Sequence, residues 1–294
     1  LSKTREPIGP GGEEVLLQGR FHLDARNAML WSDCGLEGAL EMARVTSLPL
    51  QTAARVSTGT GISSIQMLTA LKAGILVPWQ KQQAEMPRPA LDLFAADQGG
   101  LVYQPRVGVH RDVAEVDFVS MYPAIMVNFN ISPETLGTSG AQAERVPQLG
   151  LLIDRGEKGL VPRALEPLLK KRISLKQRLS GVARKASDKQ RASALKWLLV
   201  TCFGYLGYKN ARFGRIEAHQ AVTAYGRELL LRAKDTAEEL GMQVLHLYVD
   251  GLWVTAPGKS RPEDFQPLLE TITEQTGLPI ALDGVYRWVV FLAS

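Results

Sequence analysis

The spacing of apolar residues along the chain changes from helical to alternating near residue 99. Over residues 35–76, side chains such as Leu36 and Leu40 recur at the helical period, which predicts helices. Pro49 and the Ser-Thr-Gly-Thr-Gly run at 57–61 interrupt that pattern. The polar, proline-containing residues 80–90 are typical of a linker, so we expect the first helical region to end before them.

Beyond residue 99 the pattern predicts strands alternating with helices. Residues 99–110 have strand character, and residues 113–119 alternate as a buried strand does. Residues 244–256 predict a strand, a turn and a second strand, and a last strand is expected at 285–292. Helices are predicted after Pro123 and at 163–180, 187–203, 218–240 and 263–276, with an irregular segment at 137–161 and a helical hairpin formed by the second and third of these helices.

Composition adds few constraints. Apolar residues make up 45% of the chain and charged residues 22%, which is ordinary for a globular protein. The formal net charge of +4 mildly favours a polyanionic partner such as nucleic acid, although a basic protein without such a partner fits equally well. We expect no membrane-spanning helix and no signal peptide. Cys34 and Cys202 lack metal-ligand spacing, which favours a reducing compartment and no structural zinc.

Asp117 is the first candidate for chemistry. It follows an apolar strand and precedes the sequence Phe-Val-Ser-Met-Tyr-Pro. A carboxylate at a strand end, next to a turn with backbone N–H groups, can serve a metal and a phosphate together. Tyr122 would then lie flat under a sugar. The alternative is structural, with Asp117 capping the next helix.

Asp250 is the second candidate. The sequence Tyr-Val-Asp-Gly at 248–251 runs from one apolar strand into the next, and Asp-Gly is a common hairpin turn in its own right. The functional interpretation places this carboxylate beside Asp117, because phosphoryl transfer by two metals needs acidic ligands that converge from separate elements.

Three cations form the third group. Arg172 and Lys176 are four residues apart on one predicted helix, and Lys196 lies on its partner. On facing sides of a helical hairpin they would offset the charge of a triphosphate and its leaving pyrophosphate. The alternative is ordinary solvated surface charge.

Together these pieces resemble the family-B DNA polymerases. Residues 117–123 resemble that family's motif A, an Asp, two residues and then Ser-Leu-Tyr-Pro. Lys196 followed by Val-Thr-Cys-Phe-Gly at 200–204 resembles motif B, in which Lys precedes Asn-Ser-x-Tyr-Gly. Residues 248–253 resemble motif C, normally Tyr-Gly-Asp-Thr-Asp-Ser, and Gly99-Gly100 resembles a Gly-Gly loop near the template. The order and spacing agree from Gly99 to Leu292.

The resemblance implies an α+β fold: a palm made of an antiparallel sheet with packed helices, and a fingers subdomain made of a helical hairpin. It divides the chain into an N-terminal remnant and linker at 1–90, palm at 91–162 and 205–294, and fingers at 163–204. The proofreading carboxylates would lie before residue 1, and the thumb would follow the final strand, so we expect neither in this stretch.

The resemblance also implies roles and ligands. Asp117 and Asp250 would be catalytic and bind Mg²⁺ or Mn²⁺, and Gly99 and Gly100 would bind DNA. The substrates would be primer-template DNA and a deoxynucleoside triphosphate, with replication or repair proteins as further partners, no membrane, and a cytoplasmic, nucleoid-associated location. The residues expected to bind the nucleotide are Phe118, Val119, Ser120, Met121, Tyr122, Arg172, Lys176, Lys196, Phe203 and Gly204, with Tyr122 rejecting a 2′-hydroxyl.

Departures from the family pattern leave two functions open. Leu252 stands where the second aspartate of motif C is expected, and Val200 and Thr201 replace Asn-Ser in motif B. An apolar side chain does not coordinate magnesium. The pattern resembles a divergent archaeal and bacterial branch with a degraded motif C. The chain is therefore expected to be either a slow or specialised polymerase, for example one for damaged templates, or an inactivated fold that binds DNA. An accidental likeness is the third alternative.

Overall fold

The computed structural model describes residues 3–7, 13–17, 19, 21–26, 28–79, 87–96, 98–180 and 185–293. The chain divides into two compact units. The first, the helical unit, comprises Leu1–Val77 and Pro167–Cys202; the second, the sheet unit, comprises Pro78–Glu166 and Phe203–Ser294. The predicted four-part division of the chain stays a prediction.

The sheet unit is built on a five-stranded antiparallel sheet with the order β3-β7-β8-β4-β9. Because β8 and β4 are central, a residue at the end of either has neighbours on both sides. A smaller antiparallel pair, β5 and β6, lies in the segment predicted to be irregular. The strands are β3 (Val102–Tyr103), β4 (Gly108–Phe118), β5 (Ala143–Arg145), β6 (Leu152–Asp154), β7 (Gln243–Tyr248), β8 (Gly251–Thr255) and β9 (Ile280–Phe291).

One face of this sheet is buried and the other is open. On β4, Val116 and Phe118 are buried to at least 99%, whereas Asp117 between them is only half-buried. Successive side chains of a strand point to opposite faces, so Asp117 belongs to the open face. Helices cover the buried face with apolar side chains, most extensively the long helix Ile216–Glu239, which contributes Leu229, Leu230 and other residues to the core.

The helices of the sheet unit begin with a short helix before β3. They are α4 (Ala90–Ala96), α5 (Met121–Asn128), α8 (Ile216–Glu239) and α9 (Gln266–Thr276), with 3₁₀ turns at Pro133–Thr135 and Pro262–Phe265. The sequence places Pro123 in the first turn of α5, where a missing N–H costs no hydrogen bond.

The helical unit holds the remaining helices and an antiparallel pair of strands near the N-terminus. Two helices continue past the unit boundary: α6 begins in the sheet unit and α7 ends there. The elements are β1 (Lys3–Pro7), β2 (Glu13–Leu17), α1 (Trp31–Thr46), α2 (Leu50–Ala53), α3 (Thr58–Lys72), α6 (Leu160–Ser180) and α7 (Ala186–Leu206).

A buried carboxylate organises the helical unit. The side chain of Glu41 in α1 has no exposed surface and forms ion pairs with Lys171 of α6 and with Arg191 of α7, the latter at 2.9 Å. Burial disfavours its ionised form, but the hydrogen bonds from both cations outweigh burial and lower the pKa of Glu41. Breaking such a pair leaves a buried charge uncompensated, so this cluster fixes three helices to one another.

The predicted fold class is confirmed, and most predicted elements are present. The helical hairpin region, the long helix at 218–240 and the strand-turn-strand at 244–256 correspond to α6, α7, α8, β7 and β8. The Ser-Thr-Gly-Thr-Gly run was predicted to interrupt the helical pattern, and a new helix, α3, begins within it. Ser57 caps this helix by accepting a hydrogen bond from the Thr60 amide. Most of the predicted linker at 80–90 lies outside the described residues.

Within the described residues no helix is both long and apolar enough to cross a membrane.

Candidate active site at the end of the sheet

Two turns meet at one end of the central strands. The strand-to-helix turn, residues 117–121, leads from β4 into α5, and the hairpin turn, residues 248–251, joins β7 to β8. Asp117 pairs with Gly251, and the Phe118 amide donates to the Asp250 carbonyl at 2.9 Å. The structure therefore brings the two candidate carboxylate residues to neighbouring positions.

The hairpin turn has an unusual backbone. Val249 has φ 58°, in the left-handed region where a β-branched residue is strained. Its amide donates to the Leu101 carbonyl at 2.8 Å, and the Asp250 amide donates to the Tyr248 carbonyl at 2.7 Å. The sequence predicted an Asp-Gly turn, which is wrong: Val249 and Asp250 make the turn, and Gly251 is already in β8.

Gly251 is needed for the close approach of the two central strands. A Cβ atom at this position would lie 3.3 Å from the Val116 carbonyl oxygen and 3.4 Å from Oδ1 of Asp117. A larger side chain would push against the Asp117 carboxylate. The glycine thus leaves room for the carboxylate to face the open side of the sheet end.

Leu252 does not face this site. It pairs with Val116 on one side and with Leu247 on the other, and all three side chains are completely buried. Directly opposed residues in an antiparallel sheet share a face, so Leu252 belongs to the core face. The expectation that Leu252 stands at a metal-ligand position is wrong, because strand alternation directs this position away from Asp117.

Burial raises the pKa of the Asp250 carboxyl group above its usual value, and the negative charge of Asp283 adds to the rise. Asp283 is exposed and occupies a bulge in β9, where the register with β4 skips one residue between Gly284 and Leu282. Glu115, which the sequence suggested as a weak further ligand, instead accepts a hydrogen bond from the Tyr286 hydroxyl at 2.6 Å.

Two backbone N–H groups expected to meet phosphate are already used within the protein. The Phe118 amide binds the Asp250 carbonyl, and the Val119 amide binds the Pro279 carbonyl at 2.9 Å. Ser120 has φ 55° and turns the chain into α5. Helix geometry gives the first two amides of α5, those of Met121 and Tyr122, no partner inside the helix. These two N–H groups suit an anion.

Tyr122 is held from several sides. Its ring centroid lies 4.4 Å from that of Phe203, which in turn stacks on His219 at 4.1 Å. A Cβ atom on Gly226 of α8 would lie 3.1 Å from the ring, and one on Gly100 would lie 3.1 Å from the hydroxyl oxygen. Burial raises the pKa of the phenol, and the Asp250 charge adds to this, so Tyr122 is neutral.

The predicted DNA-binding glycines lie against this tyrosine. Gly99 has φ 60°, and its carbonyl accepts a hydrogen bond from Nη1 of Arg227 at 2.7 Å. Gly100 approaches both Tyr122 and Val249, as the lack of room for a Cβ atom shows. The Gly-Gly segment therefore contacts both Tyr122 and the hairpin turn.

The three predicted cations belong to the helical unit and differ in exposure. Lys176 and Lys196 are exposed, whereas Arg172 is only 8% exposed. Arg172 and Lys176 both lie in α6, and their expected role in binding a triphosphate stays a prediction. In the same unit, the hydroxyl groups of Thr201 and Thr58 form a hydrogen bond with an oxygen–oxygen distance of 2.6 Å. Val200 is 55% exposed.

Comparison with known proteins identifies the family. A sequence profile described as DNA polymerase family B matches residues 50–253. The chain belongs to DNA polymerase family B. It is 33% identical over 260 residues to DNA polymerase 2 of Saccharolobus solfataricus, covering 88% of this chain and 38% of that protein. It is 31% identical over 277 residues to DNA polymerase 2 of Aeropyrum pernix, covering 91% of this chain and 33% of that protein.

A solved family-B polymerase has the same fold over most of the chain. The structure of the family B DNA polymerase from the hyperthermophilic archaeon Pyrobaculum calidifontis matches with a TM-score of 0.65 and 26% sequence identity. The match covers 87% of this chain and 33% of that one. The chain thus spans between 33% and 38% of the length of these three relatives.

The donor set of this family-B site fits a magnesium ion that is shared with a substrate. No group of three or more His, Cys, Asp or Glu side chains among the described residues is arranged to hold a metal. Mg²⁺, however, is usually bound by one or two carboxylates together with substrate phosphates, not by a cage made only of protein. Asp117 and Asp250 lie at neighbouring backbone positions and would supply two hard carboxylates, which suits that mode.

Sequence reasoning missed the residues that support Tyr122. Arg227 is 4% exposed and Gly226 lies inside α8, where a glycine weakens a helix unless packing requires it. The Gly-Arg pair at 226–227 was therefore a detectable signal, because an isolated glycine in a strong helical pattern often marks a close contact. His219 and Val249 carried no comparable signal.

Proposed function

We propose that the chain carries out DNA-templated addition of deoxynucleotides to a primer 3′-hydroxyl. The observation that carries this proposal is the juxtaposition of Asp117 and Asp250 at the ends of neighbouring central strands, with Leu252 turned into the core. An order of motifs that agrees with family B, and names of relatives that are DNA polymerases, support it.

In the proposed reaction the primer 3′-oxygen forms a bond to the α-phosphorus of the incoming nucleotide. The bond between that phosphorus and the bridging oxygen breaks, pyrophosphate leaves, and the proton of the 3′-hydroxyl passes to water. Bound Mg²⁺ or Mn²⁺ would supply Lewis-acid stabilisation of the charge that develops on these oxygens. Asp117 and Asp250 would hold the ions, and the amides of Met121 and Tyr122 would receive phosphate oxygens.

Selection of the sugar would depend on Tyr122. Its ring is fixed by Phe203, Gly226 and Gly100, so it has little room to move away from a bulkier sugar. A 2′-hydroxyl would then meet an immobile aromatic edge, which favours deoxynucleotides over ribonucleotides. Arg172, Lys176 and Lys196 remain the proposed triphosphate-binding cations, and Phe203 and Gly204 would face the new base pair.

Primer extension tests the proposal directly. The full chain is incubated with a labelled primer-template, each deoxynucleoside triphosphate, and either Mg²⁺ or Mn²⁺. We expect extension by the unaltered protein and at least about 100-fold less by Asp117→Asn, since that change removes a charged ligand while keeping the shape. Extension that survives this substitution unchanged would show that the proposed site is wrong.

A low rate and a preference for damaged templates are the finer part of the proposal. Among the described residues no group of three or more ligating side chains is arranged to hold a metal, so metal binding would depend on substrate phosphates and extension would be slow. Extension rates on matched templates with and without one lesion measure the preference. If the lesion stops primer extension by this chain as strongly as it stops extension by a family-B replicative polymerase, this chain has no specialised role at damaged templates.

The alternative, an inactivated polymerase fold that binds DNA or a replication or repair partner, rests on the changes in motif C. The buried position of Leu252 weakens that reason, since the residue does not face the carboxylates. Specific DNA binding without nucleotide incorporation in either metal would favour the alternative over the proposal.

A further inference from the structure

The guanidinium of Arg227 binds two residues, one of which lies inside the proposed site. Its guanidinium donates from Nη1 to the Gly99 carbonyl at 2.7 Å and from Nε to Oε1 of Gln148 at 2.9 Å. The side chain is 4% exposed, although arginine is seldom buried so fully without a structural or functional reason. Gln148 is exposed, so Gly99 is the contact that lies inside the site.

The segment that Arg227 binds is in turn attached to the hairpin turn. The Leu101 carbonyl accepts a hydrogen bond from the Val249 amide at 2.8 Å. Between these two attachments lies Gly100, whose missing Cβ atom would stand 3.1 Å from both the Tyr122 hydroxyl and Cγ1 of Val249. Residues 99–101, which we call the glycine segment, therefore form one wall beside Tyr122.

A second wall beside Tyr122 comes from the same helix as Arg227. A Cβ atom on Gly226 would lie 3.1 Å from Cε1 of the tyrosine ring. The backbone of α8 thus lies against the ring, while the next side chain, Arg227, binds the glycine segment that lies against the hydroxyl group. Displacing the guanidinium would release one wall without moving the other.

We propose that Arg227 is a positioning residue that holds the glycine segment against Tyr122 and the hairpin turn, and that it thereby sets the discrimination between deoxynucleotides and ribonucleotides. The inference rests on the proposed function for its second half only. Its first half concerns the position of the glycine segment and holds or fails without any catalysis.

Lysine is the informative substitution, because it keeps the charge but loses the planar fork that binds Gly99 and Gln148 together. The matched control is Arg215→Lys. Arg215 lies at the start of the same helix and also donates to backbone carbonyls, those of Pro133 at 3.0 Å and Leu136 at 2.9 Å. Its partners do not include the glycine segment, so it reports the general cost of replacing such an arginine.

The first readout is amide hydrogen exchange of the intact chain. Arg227→Lys should raise exchange of the Val249 amide and of residues 99–101 by about tenfold, whereas Arg215→Lys should leave both unchanged. Unchanged exchange in Arg227→Lys would overturn the positioning role even if the protein proves inactive as a polymerase. If Arg227→Lys does not fold, Gly100→Ala, whose methyl group presses on Tyr122 and Val249, takes its place and should give the same local increase.

The second readout is the ratio of kcat/KM for a deoxynucleotide to that for the matching ribonucleotide. Arg227→Lys should lower this ratio by about tenfold, mainly through faster ribonucleotide use, because small displacements of a positioning group strongly change selection. Arg215→Lys should leave the ratio unchanged. A lower rate with both sugars and an unchanged ratio would assign Arg227 a purely structural role. If the unaltered protein extends no primer, the proposed function fails, and the role of Arg227 in sugar selection fails with it. The role of Arg227 in positioning the glycine segment would still be decided by hydrogen exchange.

Discussion

The strand-to-helix turn and the hairpin turn bring their aspartates to the same end of the sheet by different means. In the first, Asp117 is the penultimate residue of β4 and lies between the buried Val116 and Phe118, so its direction follows from alternation. In the second, Asp250 lies in a tight turn created by the strained backbone of Val249. The direction of the second carboxylate therefore depends on local turn geometry, which a motif comparison by letters does not contain.

If the two turns are equivalent in function, their aspartates should be equally important. Asp250→Asn should reduce primer extension at least about 100-fold, as Asp117→Asn does, because each removes a charged oxygen ligand. Steady-state extension in Mn²⁺ measures both. Glu115→Gln is the control, since that carboxylate on the same strand is bonded to Tyr286 and should lose less than about threefold. A mild effect of Asp250→Asn alone would break the equivalence.

The close contact between the turns offers a second way to separate them. Gly251→Val would press against Oδ1 of Asp117 and the Val116 carbonyl, and we expect about a tenfold loss of extension from the displaced carboxylate. Gly284→Val is the control, because nothing lies within 4 Å of a Cβ atom at that strand position. Equal losses in both variants would mean that the contact with Asp117 is unimportant.

Much of this site could be predicted from the sequence. The apolar strand before Asp117 and the helix after it follow from hydrophobic spacing, and the ordered motifs indicated the family that the comparisons confirm. The hairpin of β7 and β8 was also predicted. These features are local, and local patterns determine them.

The register of the hairpin could not be predicted in the same way. Matching letters to motif C placed Leu252 at a ligand position, whereas the pairing with Val116 and Leu247 directs it into the core. A shift of one residue in a strand exchanges the two faces, so only the observed pairing decides. The contact of Arg227 with Gly99 was equally out of reach, because it joins residues 128 positions apart.

The smallest expected difference between the two turns is the effect of their backbone strain on the free energy of unfolding. Both contain a non-glycine residue with positive φ, Ser120 at 55° and Val249 at 58°, but only valine is β-branched. Val249→Gly should raise the free energy of unfolding by about 1 kcal/mol, whereas Ser120→Gly should change it by less than about 0.5 kcal/mol. Urea unfolding of the three proteins gives both values. A loss of stability in Val249→Gly would show that its packing on Gly100 outweighs the strain.

We propose that Asp250, and not position 252, completes the site with Asp117. The most direct measurement introduces a carboxylate at position 252 and determines Mn²⁺-dependent extension and Mn²⁺ affinity, with Leu252→Asn as the uncharged control. We predict that Leu252→Asp gains neither activity nor metal affinity and loses about 3 kcal/mol or more of stability, because it buries a charge in the core. Tighter Mn²⁺ binding and faster extension by Leu252→Asp than by Leu252→Asn would contradict the account.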